Sequence, residues 1–591
     1  MKKLLSTLIL VFAALTSQAQ QTRGIINIYR NDGKLTTFFR DEVESFSYSR
    51  MDADGKPYDD IVTQIVETID STYNVPLAVI DSISFTTSSD TVVTDKTDFL
   101  TFRLVSNTGK YYSSFLIDDN AIHIKVPQDE DLTSLRPKFK HNGLKVLVGD
   151  REIKSGKDTL DFSDFLNPQE LIVESSNGAR QQRTVILYDL PVILINTPDG
   201  NPIASKYVRT EGCQMTLVDA DGKVEDLGTA GIKGRGNSTW LLPKKPYNVK
   251  LDKKHEILGM KPSKHWNLMA NAYYDRTQLR NAVAYEMARL TDYPWVQSGT
   301  FVEVILNKKH IGLYYLCEKI RAESGRIEID KIAPTDTIGE ALTGGYLIES
   351  DIQDFPENFS NTFLTDYINR TGENLAQYMH WELKQPDEDV PIQQMDYIRE
   401  TLNHVERLMC DSDSLAAGKY RELFDIESAI NWWLIQEVTL NEEASRSKNI
   451  FMYKDRNGKL TVGPPWDFDA WTFGMYGTRH FYCTRRSFYI RYLLKDPVFL
   501  ERAKEKWAIY KEIWKENIGT FLVTQREMIL RAAERNEKMW PDYHVLNFVN
   551  EKTYVESTQE MFGALIDQIN WITGKLEEGD FSDWWENKNK K

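Results

Sequence analysis

The sequence predicts an α+β protein in which small all-β modules precede a mixed domain of about 400 residues. Three observations carry that expectation. The chain is 591 residues long, and single hydrophobic cores stop growing near about 250 to 300 residues, so several domains are required. Up to about residue 190, short runs with strand-like alternation are separated by turn clusters. From Leu279 onward apolar residues begin to fall at helical spacing, and beyond Ile426 that pattern dominates. Composition agrees, because 41% hydrophobic and 12% aromatic residues supply packed cores and exclude a disordered chain. The net charge of −15 excludes a general attraction to nucleic acid or to an anionic membrane.

Residues 1–20 read as a secretory signal peptide. Lys2 and Lys3 precede an apolar run from Leu4 to Leu15, followed by Thr16-Ser17-Gln18-Ala19. That run of 12 residues is short of the about 20 that cross a bilayer, and no later segment comes close, so no membrane span is expected. Cleavage removes two lysines and takes the charge from −15 to −17. The product is expected to be exported and periplasmic, cell-surface or secreted.

Residues 21–95 read as a small β-rich module. Val43-Glu44-Ser45-Phe46-Ser47-Tyr48 and Ile80-Asp81-Ser82-Ile83-Ser84-Phe85 repeat weakly within it, and a Ser, Thr and Asp-rich linker closes it near Lys96. Residues 96–190 carry strand runs at 99–105, 121–126 and 184–188, the spacing of an immunoglobulin-like β-sandwich. Residues 191–591 hold the mixed domain, with helices expected at 426–439, 498–521, 525–537 and 555–576. Cys213, Cys317, Cys410 and Cys483 lie 104, 93 and 73 residues apart, which matches no zinc motif. They read as separate core residues, with disulfide pairing left open. The nine histidines are scattered and suggest no catalytic triad; His265 and His480 read as ordinary residues. Oligomeric state is not legible.

The chemistry gathers between residues 231 and 474. Gly231-Ile232-Lys233-Gly234-Arg235-Gly236-Asn237-Ser238-Thr239-Trp240 has the composition of a phosphate-holding loop, although it is neither a P-loop nor GxGxxG, and taken alone a tight turn between two strands explains it better. The next strand puts Tyr247, Val249 and Leu251 on one face and Asn248 and Lys250 on the other, making Lys250 a candidate phosphate cation. Glu318 closes an apolar strand and is the candidate ion-pair partner of Lys250, with Lys319 or Arg321 as the plainer alternative; Gly345 to Asp351 repeats that design. Glu437 ends an aromatic helix, and Glu443 and Asn449 then precede a hairpin that leads to Trp466-Asp467-Phe468-Asp469. Two carboxylates at i and i+2, faced by an acid and a carboxamide, form an oxygen-rich set suited to Mg²⁺, although a solvated hairpin end explains these residues equally.

These motifs, GRGNSTW, KKPYNVKL, Asn267 through Asp275 to Leu279-Arg280-Asn281, GLYYLCEKI, GGYLIESD and GPPWDFD, follow one another from Gly234 to Asp469. In order and spacing the chain resembles the spore coat protein H (CotH) kinase-like family over roughly residues 192–575. The resemblance implies an atypical protein-kinase-like fold that uses Mg²⁺ and ATP to phosphorylate Ser or Thr hydroxyls of a protein substrate, and the net charge argues against a nucleic-acid partner. It implies that Asp467 binds the metal with Asp469 as a second ligand, that Glu443 is the base, and that Asn449 orients metal or base. It also implies phosphate contacts from Arg235, Ser238 and Lys250, supported by Arg280 and by Glu318 as the lysine's partner. Many members carry Asp at the base position, and Glu443 is one methylene longer, where a misplacement near 1 Å costs about a hundredfold. The alternative reading is a surface or periplasmic binding or adhesion protein that retains the fold without transfer. Lys250, Glu318, Glu443, Asn449 and Asp467 on one cleft favour the kinase; a Lys250 turned to solvent favours the binding protein.

Overall fold

The computed structural model describes residues 24–40, 42–52, 54–58, 60–68, 71–87, 96–271, 275–351, 361–366, 380–444, 448–474, 489–541 and 553–579. The expected leader, His480 and Cys483 lie outside the described residues. The chain divides into two compact units, Met1–Tyr188 and Asp189–Lys591.

The first unit is all-β. Gly24–Arg30, Leu35–Phe39 and Ile80–Thr87 form one three-stranded sheet, and Val43–Ser49, Thr63–Thr68 and Thr72–Pro76 form another. The two copies of the weak repeat therefore each supply a strand to a different sheet. From Phe99 to Tyr188 an eight-stranded sheet follows. Within it Arg180–Tyr188 runs parallel to Ala121–Lys125, and inward residues such as Phe102, Ile122, Leu171 and Val185 make the core.

The second unit starts with a closed barrel. Its strands are β1 (Val192–Asn196), β2 (Thr210–Val218), β3 (Val224–Gly234), β4 (Tyr247–Ile257), β5 (Met260–Met269), β6 (Gly299–Leu306) and β7 (Lys309–Glu318), in the order β1-β2-β3-β4-β5-β7-β6. Closure abolishes the open edges a sheet would otherwise expose, with β6 returning parallel to β1. Alternation turns Val249, Trp266, Val304 and Leu316 into the barrel interior, while Met269 on β5 and Tyr315 and Cys317 on β7 face the rest of the unit. The three described cysteines, Cys213, Cys317 and Cys410, are free.

His265, on β5, has a pKa pushed down to about 2, first by burial and then by the charges of Arg321, Lys319 and Lys250. The unfolded chain takes up a proton there below about 6.5 while the folded chain refuses it, so stability is complete above that pH and falls on acidification. His265→Gln is expected to flatten this loss between pH 6 and pH 4, by at most about 1.4 kcal/mol per unit, in denaturant titrations.

Against the barrel lies a five-stranded sheet of β8 (Tyr346–Asp351), β9 (Thr362–Leu364), β10 (His380–Gln385), β11 (Ile450–Lys454) and β12 (Leu460–Val462), ordered β9-β10-β8-β11-β12. Helices α1 (Arg280–Arg289), α2 (Ile392–Cys410), α3 (Ile426–Val438), α4 (Pro497–Met539) and α5 (Tyr554–Glu578) complete the unit. Every residue of α3 from Ser428 to Val438 is buried, which makes it the spine of the helical core. The two helices expected at 498–521 and 525–537 are one helix, α4, of 43 residues. No proline interrupts it past its first turn, and the buried stripe of Trp514, Ile518, Leu522, Ile529 and Ala533 keeps helical phase through the expected break. Among the described residues no helix is long and apolar enough to cross a membrane.

Candidate active site

A cleft forms where the loop after β3 faces the ends of β8, β10 and β11, and it is lined from one side by Lys233, Gly234, Arg235, Gly236, Asn237, Ser238 and Thr239. Two glycines of this loop are dictated by space and dihedral angle. A Cβ on Gly234 would collide with the Trp240 ring, and Gly236 has φ +76° with Thr239 Oγ1 against it. The guanidinium of Arg235 lies 5.2 Å over the Trp466 ring, which ties the loop to the acidic segment opposite.

The opposite wall is the hairpin of β11 and β12. Asn449 enters it and Asp467 leaves it, so the fold returns the two to the same place. The Asn449 carboxamide donates from Nδ2 to Glu443 Oε2 and to Asp467 Oδ2, each at 3.1 Å. Asn449 and Asp467 have φ of 57° and 64°, a left-handed backbone that the surroundings must hold and that concentrates at functional sites. The surroundings do hold it. Asn441 Nδ2 donates to the Asp467 carbonyl at 3.3 Å, Asn281 Oδ1 accepts from the Phe468 N–H at 2.9 Å, and Gln297 Nε2 donates to the Pro465 carbonyl at 2.7 Å.

Asp467 and Asp469 are side by side. Burial raises the pKa of Asp467 against the charge of Arg235. Burial and the charges of Asp467, Glu443 and Asp275 push Asp469 well above the carboxylate range. Carboxyl groups that repel one another in this way are relieved by a cation. Among the described residues no group of three or more His, Cys, Asp or Glu forms a metal cage. The donor set is two aspartates on one loop with an acid and a carboxamide beside them, which suits Mg²⁺, an ion that keeps waters and substrate phosphates in its shell.

Six of the expected residues, Arg235, Ser238, Glu443, Asn449, Asp467 and Asp469, thus line one cleft. Three do not. Lys250 is exposed and stands opposite Gly231, two pairs further from the loop than the pairing of Lys233 with Asn248, or roughly 7 Å along the strand. Glu318 is not its partner: Lys250 pairs across to His265, whereas Glu318 pairs across to Trp266, and neighbouring positions on a strand point to opposite faces. Glu318 instead accepts from the Ser298 N–H at 2.9 Å and faces Arg326 at 3.6 Å. Arg280 sits behind the acidic loop, 3.7 Å from buried Asp275 and donating to the Asp469 carbonyl at 3.4 Å. It supports the loop and does not line the cleft.

Five further charged residues, Lys206, Lys448, Glu349, Glu382 and Lys384, line the same cleft. Glu349 and Glu382 are cross-strand neighbours bridged by Lys384 at 3.0 and 3.3 Å. Glu349 left a trace in the sequence, as an acid near the end of a buried strand, and Lys448 as the neighbour of Asn449.

Comparison with known proteins adds the family. A profile described as CotH kinase protein matches residues 232–569, more than half of the chain. No curated protein matches. A solved structure titled as a "putative glycoside hydrolase" from Bacteroides thetaiotaomicron is 20% identical over 36% of this chain, which spans 44% of that one. Its TM-score of 0.13 carries no argument.

Proposed function

Because the chain belongs to the CotH kinase protein family, we propose that its C-terminal unit is an atypical protein kinase that moves a phosphoryl group from Mg²⁺-ATP to Ser or Thr hydroxyls of a protein. The observation that carries this is the opposition in one cleft of a cationic glycine-rich loop and the Glu443, Asn449, Asp467 and Asp469 group. Lys233, Arg235 and Ser238 hold the phosphates. Asp467 and Asp469 would hold the metal, whose charge offsets that spreading over the transferred group. Glu443 receives the hydroxyl proton, and Asn449 fixes its separation from Asp467. Asn281, Asn441 and Arg280 keep the acidic loop from relaxing, which matters because positioning supplies most of the catalysis here. The preceding β modules, the later one immunoglobulin-like, space or display this unit, and residues 1–20 export it.

An exposed Lys250 and a Glu at position 443 favour the second reading, a binding protein that retains the cleft and lacks transfer. Lys233 answers the first point, because it shares the outward face with Asn248 and lines the cleft where the loop begins. Purified protein is expected to bind Mg²⁺-ATP and to label a protein acceptor with the γ-phosphate. Lys233→Met is expected to weaken nucleotide binding about tenfold or more, and Lys250→Met to change it less than about twofold. Wild-type protein that binds Mg²⁺-ATP but labels no acceptor, itself included, establishes the binding reading.

A further inference from the structure

Residues 203–211 precede the stretch matched by the family and run along the glycine-rich loop, where each glycine meets one of them. The Gly231 carbonyl accepts from Arg209 Nη1 at 2.9 Å, the Gly234 N–H donates to the Ser205 carbonyl at 2.8 Å, and the Gly236 carbonyl accepts from Lys206 Nζ at 3.3 Å. Lys206 Nζ also donates to Asn237 Oδ1 at 2.8 Å, directly before Ser238. The strap has its own shape, since Ser205 Oγ accepts from the N–H groups of Tyr207 and Val208, both at 3.0 Å. Arg209 reaches beyond the loop to the Asn248 carbonyl at 3.1 Å. Lys206 and Tyr207 line the cleft beside Lys233, Arg235 and Ser238.

We infer that this strap is the second half of the phosphate site, and that Lys206 is a positioning residue that sets the turn of Gly236, Asn237 and Ser238 for a polyphosphate anion. The inference deepens the nucleotide reading and rests on it for the identity of the anion. Beyond Gly234 the loop leaves the β3–β4 ladder, and Gly236 has the widest choice of backbone shapes. A loop of that kind loses entropy when it closes on a ligand, and a prior grip removes the cost. The ammonium group also adds positive charge to the wall that meets the anion.

Isothermal titration of the full chain with inorganic tripolyphosphate tests the strap without any transfer step. Lys206→Met is expected to weaken binding about tenfold or more, as loss of a charge-assisted hydrogen bond does, and Lys206→Arg to restore most of it. Asn237→Ala removes one acceptor while keeping the cation, and is expected to weaken binding by a smaller factor. With Mg²⁺-ATP as substrate, Lys206→Met is expected to raise KM with kcat within about twofold, the sign of a lost binding contact and not of a damaged fold. Unchanged tripolyphosphate affinity in Lys206→Met overturns the inference, as does wild-type protein that binds no tripolyphosphate. Tripolyphosphate binding with the expected ranking, but no labelling of any protein, upholds the strap and removes the transfer reading instead.

Discussion

Asp467→Asn is expected to lower phosphate transfer at least about a thousandfold while leaving the fold in place. The substitution exchanges one oxygen for an NH₂ group of nearly the same size, so the acidic loop keeps its backbone bonds to Asn441 and Asn281. The new side chain retains an oxygen that accepts from Asn449. What disappears is a full negative charge in a half-enclosed cleft where charge is poorly screened by water. Asp469 alone would then face the metal, and although loss of the Asp467 charge relieves part of the push on its carboxyl, burial, Glu443 and Asp275 still hold it above the usual range. Initial rates with Mg²⁺-ATP and a thermal melt of the same sample check both halves of the expectation. A rate within about tenfold of wild type would remove Asp467 from the metal role.

Glu303→Gln is expected to destabilise the C-terminal unit by about 3 to 5 kcal/mol, the cost of stranding buried cations when one partner is removed. Glu303 is fully buried on β6, with Arg535 Nη2 on one oxygen and His310 Nε2 at 2.8 Å from the other. Close by, Lys244 is also fully buried, its Nζ donating to the carbonyls of Ala270 and Leu313 above the Tyr314 ring, and burial pushes its pKa well below the ordinary lysine value. Burial raises the pKa of Glu303, but Arg535 and His310 outweigh it and hold the group down to about 2. A carboxyl lowered in this way contributes its stability above the ordinary value near 4.5 and loses it as the pH falls through about 2. Urea titrations at neutral pH and at pH 3 should therefore show two changes in Glu303→Gln: a lower midpoint at neutral pH and a weaker dependence on acid.

Legibility differed from residue to residue for physical reasons. The meeting of Asn449 with Asp467 could be read because a hairpin of short strands returns its two ends together, and both ends carried chemistry. The separation of Lys250 from Glu318 could not. Alternation along one strand says which residues share a face, but the sign of that face relative to a second strand depends on register, and here Val249, not Lys250, aligns with Trp266. Lys206 was invisible because its bond to Asn237 spans 31 residues with no motif at either end of the strap. The continuity of α4 through residues 522–524 rests on tertiary packing, because buried Ile518, Leu522 and Ile529 carry one stripe across them. Paired β strands between 99 and 188 were visible as alternating runs, while the parallel return of Arg180–Tyr188 beside Ala121–Lys125 was not.

The long helix has a mechanical consequence. At about 1.5 Å per residue, α4 is a beam of roughly 65 Å. Near its start Phe499, Trp507 and Trp514 are embedded in the helical core. Near its end Arg535 holds Glu303, Asn536 accepts from the Leu313 N–H at 3.2 Å, and Trp540 just past the end donates to the Ile311 carbonyl at 3.3 Å, all on the barrel. A beam riveted at both ends leaves the barrel and the helical core little freedom to swing like two jaws. On the nucleotide reading, ligand entry and release would then fall to the short segments at the cleft wall.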